Sequence, residues 1–340
     1  MGDKRLFGNF APQTKDDWLA KAKTDLKDKP LSSLESNWAG LKIEPYYANE
    51  DFLGEPSPIA PHHWINYVKV KVTSEAEANK TAKKALNMGA TGIIFDLSFT
   101  VNYRSLLAGI EPTHCAISFT GKADTAAYLH YIHANKIQNI HGFVDKQEIY
   151  AHDTPSHFYP TVIKANAKEE LSALTDILLS LYKILLPVPP DSIERTVSHI
   201  AYELNMGTNY FLGIAKLRAL RMLLHNFYRG YGLSLAPEKF HLIVVSTSWK
   251  KDNYQPHENM LKATTAAMAG IIGGCDALII DPGYDDEQEV LVARNISSIL
   301  EFEAYLGKVA DPSAGSYFIE QLTKDIKDKV WQEFNRNLVT

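Results

Sequence analysis

Six polar residues stand where short apolar runs give out: Asp96, Ser98, Asp145, Lys164, Ser246 and Asp281. Carboxylates, an ammonium and hydroxyls at strand ends can orient a bound molecule and exchange protons with it. Asp96, Lys164, Ser246 and Asp281 are therefore the candidate substrate-binding set, although strand ends also need polar groups to meet water and cap the next helix. Other patterns are weaker. His130 and His133 share a helix at a chelating spacing, but no carboxylate in a ligand pattern accompanies them, so no metal site is assigned. Gly270 to Gly274 lacks the Gly-Lys-Ser/Thr of a phosphate loop and reads as the close of an apolar helix. Lys216, Arg218 and Arg221 could anchor a phosphate, but inside a helix they are expected to pair with acidic neighbours. No Ser-His or Cys-His arrangement falls at one place, so no catalytic residue is assigned.

Positioning such groups requires alternating strands and helices, and the chain supplies them. Strand-like runs occur at 67–72, 92–96, 115–119, 140–144, 159–163, 242–245 and 277–280. Helical patterns fall between them: one opened by Ser74 with Glu77 and closed at Gly89, one begun by Asp124, and a long one from Leu171 to Leu185 stopped by Pro187. Another restarts at Asp191 and runs, with a break at Gly207, to Leu224. Residues 256–272 form one more. Continuous apolar strands alternating with helices predict a parallel sheet, best closed as a (β/α)8 barrel, with an eighth strand expected between Val309 and Ile319. An open doubly wound sheet is the rival. Ahead of the barrel, residues 1–44 read as a separate arm. Trp18, Ala22 and Leu26 share a helical face up to Pro30, and Leu34 and Trp38 follow. A helix too short to be stable alone, carrying apolar residues, must lie on its own barrel or on another subunit. Trp18, Leu26, Leu34 and Trp38 are the candidate interface.

The 340 residues fit one large barrel. Apolar residues make up 45% and charged residues 22%, values of a chain with a sizeable core, which excludes disordered and fibrous classes. A net charge of −5 gives no basic field for nucleic acid. Cys115 and Cys275 are too few for a disulfide scaffold and are expected to pack in a reducing compartment. No secretory signal and no membrane span is visible, so a cytoplasmic location is expected.

Three segments resemble the methylmalonyl-CoA mutase family of adenosylcobalamin-dependent isomerases. The first is Gly207 to Arg221, with Phe211, Ile214-Ala215-Lys216, Arg218-Ala219 and Arg221, similar to the family's Phe-Phe-x-x-Ile-Ala-Lys-x-Arg-Ala-x-Arg helix. The second is Thr247-Ser248, followed by Asn259 to Thr265 and closing at Gly273-Gly274. The third runs from Ala293-Arg294-Asn295 to Asp311-Pro312-Ser313-Ala314-Gly315-Ser316-Tyr317-Phe318. With Trp18, Trp38, Gly40, Leu41, Ile43 and Pro45-Tyr46-Tyr47, the resemblance covers nearly the whole chain. It implies a TIM barrel at 45–340 with an N-terminal arm at 1–44 used in subunit pairing.

Departures from the family pattern refine the expectation. Ala48 to His63 contains no Arg where active members carry an aromatic-Thr-Arg-Gly motif and a catalytic Tyr. Ile163-Lys164 replaces a Tyr-His pair, Val244 and Ser246 replace a His-x-Gln, and Asp276 stands near an expected Gln. None of the 12 histidines has Asp two before and Gly three after, the pattern of cobalamin's lower ligand, so the cobalamin-binding domain is expected to be absent. The resemblance thus implies a small, non-catalytic subunit, in propionate metabolism, of a heterodimer whose large subunit binds adenosylcobalamin and interconverts methylmalonyl-CoA and succinyl-CoA. In isolation such a chain could form a homodimer. The alternative is an independent acyl-CoA-acting barrel enzyme that reuses the strand-end polar groups. Ile163, Val244, Phe95 and Phe119 are expected to fill the barrel axis and close any pantetheine channel.

Overall fold

The structure is a computed structural model that describes residues 13–48, 59, 63–147, 149, 154–165, 167, 169–246, 256–282 and 287–339. Its centre is a curled parallel sheet. The strands are β3 (Ile65–Val72), β4 (Gly92–Leu97), β5 (Ala116–Gly121), β8 (Thr161–Lys164), β9 (Ile200–Asn205), β10 (His241–Val245) and β11 (Ala277–Ile279), in the spatial order β5-β4-β3-β11-β10-β9-β8. Two short strands join its edges, β6 (Gly142–Phe143) and β7 (Phe158–Tyr159), which pair in parallel. On one side Phe119 bridges Val144 and Asp145 N–H donates to Phe119 O at 2.8 Å. On the other, Val162 N–H donates to Lys146 O at 2.8 Å. The circuit is that of a (β/α)8-type barrel, in which a closed ladder leaves no edge.

The helices lie outside. α2 (Glu75–Asn87) is capped by the Ser74 side chain, which accepts from Glu77 N–H, and Gly89 ends the turn at φ +102°, a conformation that suits glycine. α3 (Tyr103–Leu106), α4 (Thr125–Ala134), α5 (Ser172–Leu185), α6 (Pro190–Val197), α7 (Tyr210–Gly230), α8 (Pro256–Ile272) and α9 (Glu287–Phe302) follow, and α10 (Tyr317–Val339) lies across α7 and α5. None of the described helices is long and apolar enough to cross a membrane.

Strand parity divides the core in two. Tyr67, Ile94, Ala116, Phe143, Val162, Ala201, Ile243, Ala277 and Ile279 point to the axis and form one apolar cluster. Tyr67 donates no space to a channel: its ring meets Phe143 edge-on at 5.5 Å, and its hydroxyl is 2.9 Å from Ser118 Oγ. Gly92 is required beside it, because a Cβ there would stand 2.6 Å from the Tyr67 ring. Alternate residues face the helices.

Several expectations are corrected here. The strand missing from the sequence reading is β9, and residues 309–316 contain none. Phe95 and Phe119 point outward, stacked at 6.0 Å among Tyr103, Tyr128 and Phe158. Ile163 and Val244 also face the helical layer, Val244 against Gly270 of α8. The axis is filled, but by Tyr67, Phe143 and small aliphatic groups instead.

The N-terminal region touches its own barrel at one end. α1 (Lys15–Leu26) has a capping box between Thr14 and Asp17 and buries no residue. Trp18 stacks on Tyr46 at 5.0 Å, and Lys15 pairs with Glu44 at 3.1 Å. The hairpin of β1 (Ser36–Trp38) and β2 (Leu41–Ile43) is held down more firmly. Leu41 and Ile43 are buried, Trp38 meets Phe318 at 5.8 Å, and Lys329 Nζ donates to the carbonyls of Ala39 and Gly40.

Candidate functional site

The carboxyl ends of the strands surround a cavity of about 370 Å³. Inward parity carries Lys69 (β3), Asp96 (β4), Thr120 (β5), Asp145, Lys164 (β8), Glu203 (β9) and Asp281 to its wall, over a floor of Ile94, Phe143, Val245 and Ile279. Of the expected set, Asp96, Lys164 and Asp281 are brought together. Ser246 is not: it is buried at 1% exposure and does not line the cavity, while its N–H donates to Ile279 O. Its hydroxyl has no hydrogen-bond partner among the described residues. Thr247 and Ser248 lie outside the described residues.

The mouth is organised by ion pairs. Lys164 Nζ lies 2.7 Å from Asp145 Oδ2 and 3.0 Å from Glu203 Oε2. Lys69 reaches Asp96 at 3.7 Å, and Thr120 Oγ1 donates to Asp96 Oδ1 at 2.8 Å. Burial opposes the Lys164 charge, but Glu203 and Asp145 outweigh it and hold the ammonium's pKa above its ordinary value. Burial raises the Glu203 pKa, with Lys164 offsetting part of the rise. Four carboxylates against two ammoniums leave the wall net acidic.

Glu203 and Lys69 escaped the sequence reading. Glu203 sits on the strand taken for helix. Lys69 was signalled only by the alternation in Tyr67-Val68-Lys69-Val70, which puts every second residue on the inner face.

The cations singled out on α7 are committed to the scaffold. Lys216 is paired with Glu170 and donates to Asn205 O. Arg218 is fully buried between Asp311 and Glu320, its Nη2 2.6 Å from the latter. Arg221 bonds Asp276 at 2.9 Å and the carbonyls of Pro237, Phe240 and Gly274. These side chains tie α7 to α10 and to the strand bases, and their charges are spent there.

Imidazoles gather at the opposite end. His141 stacks on His157 at 4.9 Å and His241 on Tyr159 at 4.3 Å. Burial lowers His241 to about 4, against the opposing pull of Asp276. No described histidine lines the mouth cavity. His130 and His133 are exposed, and the described residues contain no group of three or more potential metal ligands.

Strand circuit, helical layer and strand-end cavity define an α/β barrel protein of the TIM type. By sequence the chain is similar to the methylmalonyl-CoA mutase family, whose model matches residues 192–337. It is 28% identical to a protein of Porphyromonas gingivalis named methylmalonyl-CoA mutase small subunit, across 97% of this chain and 64% of that one. A second small subunit, from Propionibacterium freudenreichii subsp. shermanii, is 30% identical over 36% of this chain and 20% of its own length. The chain thus spans less than two thirds of these relatives. Among solved structures, a dihydropteroate synthase of Coxiella burnetii in complex with pteroic acid aligns with 80% of this chain and 99% of its own at 12% identity and a TM-score of 0.39. That likeness carries no functional argument.

Proposed function

We propose that this chain is the small, non-catalytic subunit of a heterodimeric adenosylcobalamin-dependent methylmalonyl-CoA mutase. The observation that carries the reading is its likeness, over almost its entire length, to a protein named methylmalonyl-CoA mutase small subunit. The large subunit would interconvert methylmalonyl-CoA and succinyl-CoA, in the cytoplasm and within propionate metabolism. The cavity supports the division of labour. Lys164 and Lys69, the cations that could meet a thioester oxygen, are held by Asp145, Glu203 and Asp96. A net acidic wall disfavours an anionic acyl-CoA.

The residues present do not fit cobalamin. The described imidazoles of the barrel bore lie at the strand bases, none lines the mouth, and the Asp-x-His-x-x-Gly pattern is missing from the sequence. No reaction step is therefore drawn through the cofactor, which we assign to the partner. Trp18, Leu26 and Leu34 are the interface side chains we favour, with Leu34 41% exposed. Trp38 contributes less, because it already packs on Phe318. Co-expression with a candidate large subunit and size exclusion tests the reading. A co-eluting complex with mutase activity is expected. Separate species, with the large subunit active alone, would overturn it.

The second reading is an independent acyl-CoA-acting barrel that uses Asp96, Lys164 and Asp281, which line one cavity. Equilibrium dialysis of the isolated chain against CoA thioesters separates the two, since micromolar binding lost in Lys164→Met would support the second.

A further inference from the structure

A second cavity, of about 210 Å³, opens on the barrel's flank between α2 and α9, the helices that pack on either side of β3. Its walls are apolar: Val68 of β3 below, Ala85 of α2 on one side, Val290 and Leu291 of α9 on the other. Three cations belong to this lining: Lys69, whose ammonium reaches Asp96 in the mouth, Lys84 at the exposed rim, and Arg294 within. Arg294 is the feature that needs explanation. It is 7% exposed, and its Nη2 donates to Asn295 Oδ1 at 2.9 Å. Its buried Nε has no hydrogen-bond partner among the described residues. A buried guanidinium N–H left unbonded costs free energy that an arriving acceptor would restore. Burial also lowers the Arg294 pKa, the mark of a charge short of compensation.

The guanidinium lies outside the barrel wall and does not line the mouth. It belongs instead to the Ala293-Arg294-Asn295 segment that the scaffold pairs do not absorb. An apolar trough ending at a buried fork of donors is matched by a small amphipathic acid. The carboxylate accepts from the guanidinium and the hydrocarbon covers Val68, Val290 and Leu291. The volume is below the roughly 300–1,000 Å³ of pockets for drug-sized ligands, which favours a short-chain acid over a nucleotide.

We propose that the cleft between α2 and α9 is a binding site for a small carboxylic acid with an alkyl chain, its carboxylate held by Arg294. The test is isothermal titration of the full chain with octanoate, with acetate and octan-1-ol as controls. Saturable one-site binding of octanoate is expected, with acetate and octan-1-ol each at least tenfold weaker. Arg294→Gln is expected to weaken octanoate at least tenfold. Because that variant removes a buried residue, Thr81→Trp serves beside it: Thr81 is exposed on the cleft's rim, and an indole there should block entry without disturbing the fold. Binding that is unsaturable, that is equal for octan-1-ol, or that persists in a folded Thr81→Trp protein would overturn the proposal.

Discussion

Lys164 and Glu203 are register partners on β8 and β9, and their charged groups meet at 3.0 Å on the inner face of the barrel mouth. The pair is mostly withdrawn from water, with side-chain exposures of 28% and 13%. Lys164→Met would strand a carboxylate whose pKa burial already raises. A loss of about 2 kcal/mol is expected, less than for a fully buried pair because Lys164 keeps some solvent. The sign of the pH dependence follows. A carboxylate with a raised folded pKa lowers stability as pH climbs from its unfolded value through the folded one. Urea melts of Lys164→Met should therefore lose stability with rising pH above about 4.5 more steeply than the parent. Parallel profiles would argue against the pairing.

Arg218 predicts a larger effect. Its removal leaves Asp311 and Glu320, 6% and 4% exposed, facing one another without a cation. Arg218→Met should cost about 3–5 kcal/mol in chemical denaturation, and replacing all three residues by apolar ones should recover much of it.

His241 contributes to the acid limb. Its folded pKa is lowered from 6.5 to about 4, so its contribution is present above the unfolded value and is lost as pH falls through the folded one. His241→Phe preserves a ring against Tyr159 and removes the titration. Its stability should fall more gently than the parent's between about pH 6.5 and 4, with a difference on the order of 2 kcal/mol at the acid end.

Gly142 tests the closure. Its φ is +144°, and a Cβ would lie 1.9 Å from Ile117 O. Gly142→Ala forces β6 away from β5, and a loss of about 3 kcal/mol in thermal or urea unfolding is expected. A neutral result would mean that β6 does not hold the gap.

The misread strand explains how far the sequence carried. Seven strands were visible because each is a bounded apolar run between turn residues. β9 was hidden because Ile193, Val197, Ile200 and Leu204 keep helical spacing across the end of α6 and into the strand. A strand buried on both faces shows no alternation to correct that impression. Glu203 disappeared with it, so half of the central ion pair was missing from the candidate site. Ser246 failed for a different reason. Being at a strand end does not decide which way a side chain points, and parity set by the β10–β11 register turned Val245, not its neighbours, inward. The pairing of Lys216, Arg218 and Arg221 with acids was legible, since three cations inside a packed helix have few other solutions.

The hairpin of residues 36–43 depends on the last helix: Lys329 grips its turn across 290 residues of sequence, and Leu41 and Ile43 share a core with Leu322, Ile326 and Val330. A ribosome releases the two halves of that contact at very different moments. At about 5–20 residues per second, the hairpin emerges roughly 15–60 s before its docking surface is made. For that interval Leu41 and Ile43 are apolar residues without a destination. The hairpin is thus synthesised well before it is seated, and whatever meets the nascent chain in between meets it uncovered.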